Sequence, residues 1–217
     1  MNKIWIGIAS LLAVFIFIFL AYKFTNKTEV KSYPDANVVN ASDHSKWASA
    51  SAAKKNILVE YSDYQCPACK SFSDFINSEI EASGSANANI MKKVTFVYRH
   101  FPLSQHAHAE EAALAAEAAG KQGKFFEYSD IIFDKQKDWS EAKDAVKKFE
   151  SYAEDLGLDI EKFKNDRDSK AIKEKVNADL SSGQKVEVYA TPTFYLNGKK
   201  LGPMNSFADF LKPLRSL

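Results

Sequence analysis

Cys66 and Cys69 are the only cysteines in the 217-residue chain, and they stand three positions apart as Cys66-Pro67-Ala68-Cys69. On a helix N-terminus the first cysteine of such a pair lies near unsatisfied backbone N–H groups and the positive end of the dipole, which stabilises its thiolate. Cys66 is therefore the expected nucleophile. Cys69, one turn further along, is placed to attack a mixed disulfide at Cys66 and release the second partner, which is thiol–disulfide exchange. The dipeptide Pro67-Ala68 carries no charge, so redox poise has to come from the helix terminus and tertiary neighbours. A CxxC pair is also half a zinc site, but no second cysteine pair and no histidine at finger-like spacing completes one within the chain. A four-cysteine zinc site shared by two copies stays open. His106 and His108 form an H-x-H pair ahead of an alanine-rich stretch, a placement that suits capping or surface roles better than metal ligation.

The flanking residues supply elements to hold this pair. Asn56–Tyr61 is apolar and β-branched for most of its length, then Ser62, Asp63 and the CPAC tetrad interrupt it, so a buried strand runs into a helix. Pro67 suits the first helical turn, where its missing N–H is not needed. Phe72, Phe75, Ile76 and Ile80 recur at helical spacing until Ser83-Gly84-Ser85, and Val94–Tyr98 is a second strand. Strand, helix and strand in this order predict a parallel crossover unit. From Gln105 to Gly183 the pattern is helical: His108–Gly120, Lys124–Phe133, Glu141–Leu156, Ile160–Lys164 and Ser169–Ser182. The alanines of the first of these permit close approach to a neighbouring layer. Val186–Tyr189 and Thr193–Leu196 read as strands, Asn197-Gly198 as a hairpin turn before Lys200-Leu201, and Ser206–Leu214 as a last helix. A mixed sheet covered by helices is the expected architecture.

Lys plus Arg number 29 against 28 Asp plus Glu, a balance that argues against nucleic-acid binding by bulk charge. Ile4–Tyr22 carries no charged side chain, and its 19 residues, at about 1.5 Å each in a helix, nearly cross a hydrocarbon core of roughly 30 Å. A cleaved signal peptide has a shorter apolar region and a small-x-small site, which Leu20-Ala21-Tyr22-Lys23 does not offer, so the reading is an uncleaved anchor. Lys23, Lys27 and Lys31 against Lys3 lean away from an exported body on a positive-inside count. The cysteine pair suits an oxidising compartment, and it is given precedence.

In these motifs the chain resembles the DsbA-like branch of the thioredoxin superfamily, especially its single-domain, membrane-anchored bacterial members with a helical insertion. The run ILVEYSDYQCPAC, residues 57–69, is similar to the family's strand, acidic residue and active-site helix start. YRHFPL, residues 98–103, is similar to its second-strand exit, and Thr191-Pro192-Thr193-Phe194 to the segment with the superfamily's cis-proline. The resemblance spans residues 42–217 and implies an α/β thioredoxin fold with a mixed central sheet and an inserted α-helical block over about 104–183. It also implies a cis Pro192, with the Thr191 backbone beside Cys66 for strand-like pairing with substrate. Thr191 then governs access to the sulfurs, and Glu60 is the buried acid that assists proton transfer at Cys69. The strong oxidant of the family has a histidine between its cysteines, so its extreme oxidising power is not carried over to Pro67 and Ala68. Nothing resembles the dimerisation domain of the periplasmic isomerases, and no compact ligand set suggests a structural metal. A monomer is expected.

The chain is thus expected to comprise a transmembrane signal anchor (1–22), an extracytoplasmic tether leading into the domain (23–55) and a DsbA-like domain (56–217). The expected function is extracytoplasmic thiol–disulfide exchange that forms disulfides in exported proteins with cysteine pairs. A membrane redox partner would reoxidise the site, and no cofactor is called for. The alternatives are a disulfide reductase or isomerase, and a non-enzymatic thiol metal-binding module.

Overall fold

The computed structural model of the protein describes residues 12–21, 31–33, 44–47, 56–202, 204 and 206–217. The chain divides into two units, 1–31 and 32–217. In the first, residues 12–21 form a helix, α1, whose apolar side chains, Phe15 and Phe17 among them, are exposed. The rest of the expected anchor, 1–11 and 22, lies outside the described residues. Among the described residues no helix is long and apolar enough to cross a membrane.

The second unit is built on a five-stranded sheet of order β1-β3-β2-β4-β5. The strands are β1 (His44–Trp47), β2 (Ile57–Ser62), β3 (Thr95–His100), β4 (Thr193–Leu196) and β5 (Lys199–Lys200). Only β2 and β3 pair in parallel, as the crossover reading requires, and the other pairings are antiparallel. Helix α2 (Pro67–Ile76), prolonged by a π-helical turn over Asn77–Glu81, and the short α3 (Ile90–Lys93) make the crossover. The inserted block follows as α4 (Ala109–Gly120), α5 (Phe125–Asp134), α6 (Gln136–Trp139), α7 (Ala145–Asp155), α8 (Ile160–Arg167) and α9 (Lys170–Lys185). Helix α10 (Phe207–Arg215) closes the chain, started by a capping box between Ser206 and Asp209.

Two-residue periodicity splits β2 between two cores. Leu58 joins the larger one, with the buried alanines of α4 and side chains from α2, α5, α7 and α10, while Val59 and Tyr61 face a smaller one with Val97, Phe101, Val186 and Val188. Phe72 and Phe75 on α2 interlock with Phe207 and Phe210 on α10, the Phe75 and Phe207 rings stacking at 4.2 Å. Such ring pairs contribute about 0.5–1.5 kcal/mol each beyond area burial, and here they fix the helix that carries both cysteines.

Two readings are corrected. Val186–Tyr189 is not a strand: α9 runs on to Lys185, Glu187 takes a positive φ of 61°, and the Val188 N–H returns to the Gly183 carbonyl at 2.9 Å. Val186 and Val188 are buried in a turn, which reproduces the alternation of a strand. Gly183 does not stop its helix. A Cβ there would lie 2.6 Å from Phe101 Cδ2, so the glycine allows α9 to sit close against the chain leaving β3. A third finding is an addition: the stretch assigned to the tether contributes β1, paired along β3 from His44 opposite Tyr98 to Trp47 opposite Thr95.

Candidate active site

Cys66 is the N-cap of α2, with extended backbone (φ −74°, ψ 123°), and Pro67 follows in the first turn. No side chain caps this helix end, so its free N–H groups point at the sulfur. Both cysteines are free thiols; Cys66 is 8% exposed and Cys69 0%. The Thr191–Pro192 bond is cis, and the Cys66 thiol donates to the Thr191 carbonyl at 3.4 Å. Thr191 is thus beside the Cys66 sulfur, with Pro192 leading into β4, which pairs with β2.

The two thiols are strongly differentiated. A hydrogen bond from Cys69 is the main influence pulling Cys66 down to about 5; burial opposes it, and the backbone N–H groups of Cys69 and Ala68 assist. The Thr191 hydroxyl is buried without a partner and stands near enough to donate to the thiolate once it forms. Cys69 is pushed far up by burial first, then by its bond to Cys66 and by the charges of Cys66 and Glu60. One sulfur is therefore a thiolate at neutral pH while its neighbour holds a proton, the division of labour that exchange needs. Glu60 is 4% exposed on β2, and burial raises its carboxyl from 4.5 to about 7, with the Ser62 hydroxyl and then the Lys46 charge acting the other way.

The approach to Cys66 is held by residues whose roles the sequence did not reveal. Asp63 accepts from the Gln65 N–H at 2.7 Å and the Leu103 N–H at 2.8 Å, and its Oδ2 lies 2.8 Å from His106 Nδ1. Gln136, buried on α6, donates to the carbonyls of Tyr64 at 2.7 Å and Cys66 at 3.0 Å. Gln65 bonds Ser140 and His108. The insertion therefore clamps the active-site turn, and no local motif could show it because the partners lie about forty to seventy residues away. His108 meets Glu111 and the Ala142 carbonyl, so His106 and His108 do not converge on a common site.

A compact ligand set that no spacing disclosed does exist. His100, Glu117 and Asp179 bring one ligand atom each within 4.8 Å of one another, all buried. The Lys175 ammonium already supplies a cation there, 2.6 Å from Asp179 and 3.8 Å from Glu117.

A dithiol at a helix start, one thiol acidified and the other buried, faced by a cis-proline loop on a mixed sheet, is an arrangement that can carry out thiol–disulfide exchange. The chain belongs to the thioredoxin family, whose model, described as Thioredoxin, matches residues 41–215. Among solved structures, oxidised BdbD from Bacillus subtilis superposes with a TM-score of 0.67 at 21% identity, covering 86% of this chain and 97% of that one. Alpha-DsbA1 from Wolbachia pipientis gives a TM-score of 0.66 at 20% identity, over 83% of this chain and 92% of its own. A curated relative, a Na(+)/H(+) antiporter NhaA of Herminiimonas arsenicoxydans, is 37% identical over 147 residues, which are 66% of this chain and 21% of that protein. The chain spans about a fifth to a quarter of the curated relatives it matches.

Proposed function

We propose that the chain is a disulfide donor acting outside the cytoplasm, held to the membrane through its N-terminal apolar run, and that it oxidises cysteine pairs of exported proteins. A client thiolate attacks Cys66, the Cys66–Cys69 bond breaks, and Cys69 leaves and is protonated with help from Glu60. The second client thiolate then attacks the client sulfur of the mixed disulfide, giving a client disulfide and a Cys66 thiolate. The client is oxidised, the enzyme is reduced, and a membrane redox partner restores the enzyme disulfide. Thr191 and Pro192 hold the client strand; Pro67 and Ala68 leave the helix start uncharged.

The observation that carries the donor direction is the lowered Cys66 thiol. Stabilising the thiolate stabilises the reduced enzyme and so makes its disulfide more oxidising. Relative to a thioredoxin-like thiol of pKa about 7, one of about 5 favours the reduced form by roughly 2 kcal/mol at neutral pH, or some tens of mV. The lowered Cys66 thiol therefore moves the couple upward from the thioredoxin value of about −270 mV. The test is the equilibrium reduction potential of the full chain in glutathione buffers, read by alkylation and mass spectrometry of Cys66 and Cys69. A value above about −220 mV supports the donor; one near about −270 mV assigns a reducing role instead. Retention of stoichiometric zinc, lost in Cys66→Ser, would assign metal binding.

A further inference from the structure

Resting on the exchange chemistry above, the structure leaves one step without a route. Each time Cys69 is released or attacks, a proton crosses between its sulfur and Glu60, and Glu60 has then to exchange that proton with water. Glu60 is 4% exposed. During the mixed disulfide the client covers Cys66 and Thr191, so the face through which the sulfurs meet solvent is occupied when the proton has to move.

A cavity of about 30 Å³ runs from Glu60 to the surface, with room for about one or two waters. Its walls include Lys46, Asn77, Tyr98, Ser129 and Asp130, and neither Cys66, Thr191 nor Pro192 lines it. The Tyr98 hydroxyl on the cavity wall and the Ser62 hydroxyl behind Glu60 are buried and make no hydrogen bond of normal geometry in the structure. Ser62 stands close enough to Glu60, Cys69 and Tyr98 for its hydroxyl to favour the charged form of each as a hydrogen-bond donor. Buried hydroxyls left unpaired are costly, and two of them around one carboxyl are a site for bridging water. At the mouth stands Asp130, exposed on α5 and held by Asn77 Nδ2 donating to its Oδ1 at 3.1 Å.

We propose that this cavity is a water-filled proton path, and that Asp130 at its mouth passes protons between solvent and Glu60 independently of the Cys66–Pro192 face. In the oxidative direction the Glu60 carboxylic acid gives its proton through Ser62 and water to the Cys69 thiolate, and the Glu60 carboxylate is reprotonated through the cavity from Asp130, which refills from solvent. No electrons move in this relay, and the reverse reaction runs it outward. The charges around it suit the task. Lys46, 4.8 Å from the Phe126 ring centroid and paired with Glu81 at 2.5 Å, attracts both carboxylates, while Glu81 and Glu127 oppose ionisation of Asp130. Although the residue is exposed, its carboxyl is partly buried against the cavity mouth, and this raises it against the opposing Asn77 hydrogen bond and Lys46 charge.

Asp130 acts through Glu60 and is a positioning residue. The test mixes the reduced full chain with excess oxidised glutathione. Cys66 takes up a glutathionyl group, then Cys69 loses its proton to Glu60 and displaces reduced glutathione, and this unimolecular release is the rate to follow against pH. Asp130→Asn, which keeps the Asn77 contact, should slow release about tenfold in dilute buffer. Asp130→Glu should restore it, as should imidazole in a concentration-dependent manner, with adduct formation and reduction potential unchanged. Ser73→Leu, on another wall of the cavity, should slow release equally and resist rescue by imidazole. Unchanged release in Asp130→Asn, or slowed release that neither Asp130→Glu nor imidazole restores, overturns the path. A wild-type chain that forms the adduct and never releases glutathione overturns the exchange reading itself, which is a separate result.

Discussion

Two glutamates, one in the dithiol site and one where the helical insertion meets the sheet edge, are buried to the same depth and driven in opposite directions. Glu60 on β2 is 4% exposed and Glu117 on α4 is 5%. Burial is the largest influence on both. For Glu60 it prevails, and the carboxyl rises to about 7. For Glu117 it is overcome, because His100 Nε2 lies 3.0 Å from one oxygen and His44 Nε2 2.9 Å from the other, and the carboxyl is held far below the usual range. Depth thus sets the size of the penalty and partners set its sign. The partnered glutamate secures the insertion against β1 and β3. The poorly partnered one keeps a proton that can be given away at neutral pH.

Cys66→Ser should separate the two regions most sharply, taking thiol exchange with glutathione to background while leaving thermal unfolding close to that of the reduced wild type. Glu117→Gln, in contrast, should leave exchange intact in the folded protein. If Cys66→Ser retains exchange, the site region has no special chemistry and the contrast fails.

The next largest effect is on stability. An acid whose folded pKa is raised costs nothing below its unfolded value near 4.5, costs progressively more up to about 7, and a constant amount above that. The full shift corresponds to roughly 3 kcal/mol. Glu60→Gln should therefore stabilise the chain against urea by roughly that amount at about pH 8 and change little at about pH 4. The same variant should slow glutathione release by Cys69.

Glu117→Gln should show the opposite sign. A depressed carboxylate stabilises above its unfolded pKa, and that contribution fades as acid falls below it. A loss of about 2 kcal/mol at neutral pH, shrinking below about pH 4, follows from charge-assisted bonds to two histidines. Stability curves for the two variants that run parallel with pH would break the comparison.

The smallest effect supplies a control without an ionisable group. Gly183→Ala places a methyl against the Phe101 ring and should cost about 1–2 kcal/mol at every pH, as overpacking does. A pH-dependent loss there would show that the α9 contact is coupled to Asp179 and Lys175, which lie on the same helix.

The sheet, the crossover and the cysteine-bearing helix were legible because their signals are local. A β-branched run, a proline beside the N-cap and phenylalanines at helical spacing each act within a few residues of themselves. The sequence misled at Val186–Tyr189, where buried valines alternate in a turn, and at Gly183, where glycine serves close packing. It was silent on β1, whose short strand carries polar His44, Ser45 and Lys46 and becomes an edge only by pairing with β3.

By itself the sequence determined that two sulfurs lie one helical turn apart, that an acid precedes them on an apolar strand, and that Thr191-Pro192 leads into a hairpin. Covalent spacing and helix geometry are enough for that. Tertiary structure alone decided that Thr191 reaches Cys66, that Gln136 and Asp63 clamp the turn before it, and that burial pushes the Glu60 carboxyl up to about 7 while two histidines hold Glu117 down. Proton affinity is set by which groups fold brings within a few ångströms, and those partners come from elements far apart along the chain.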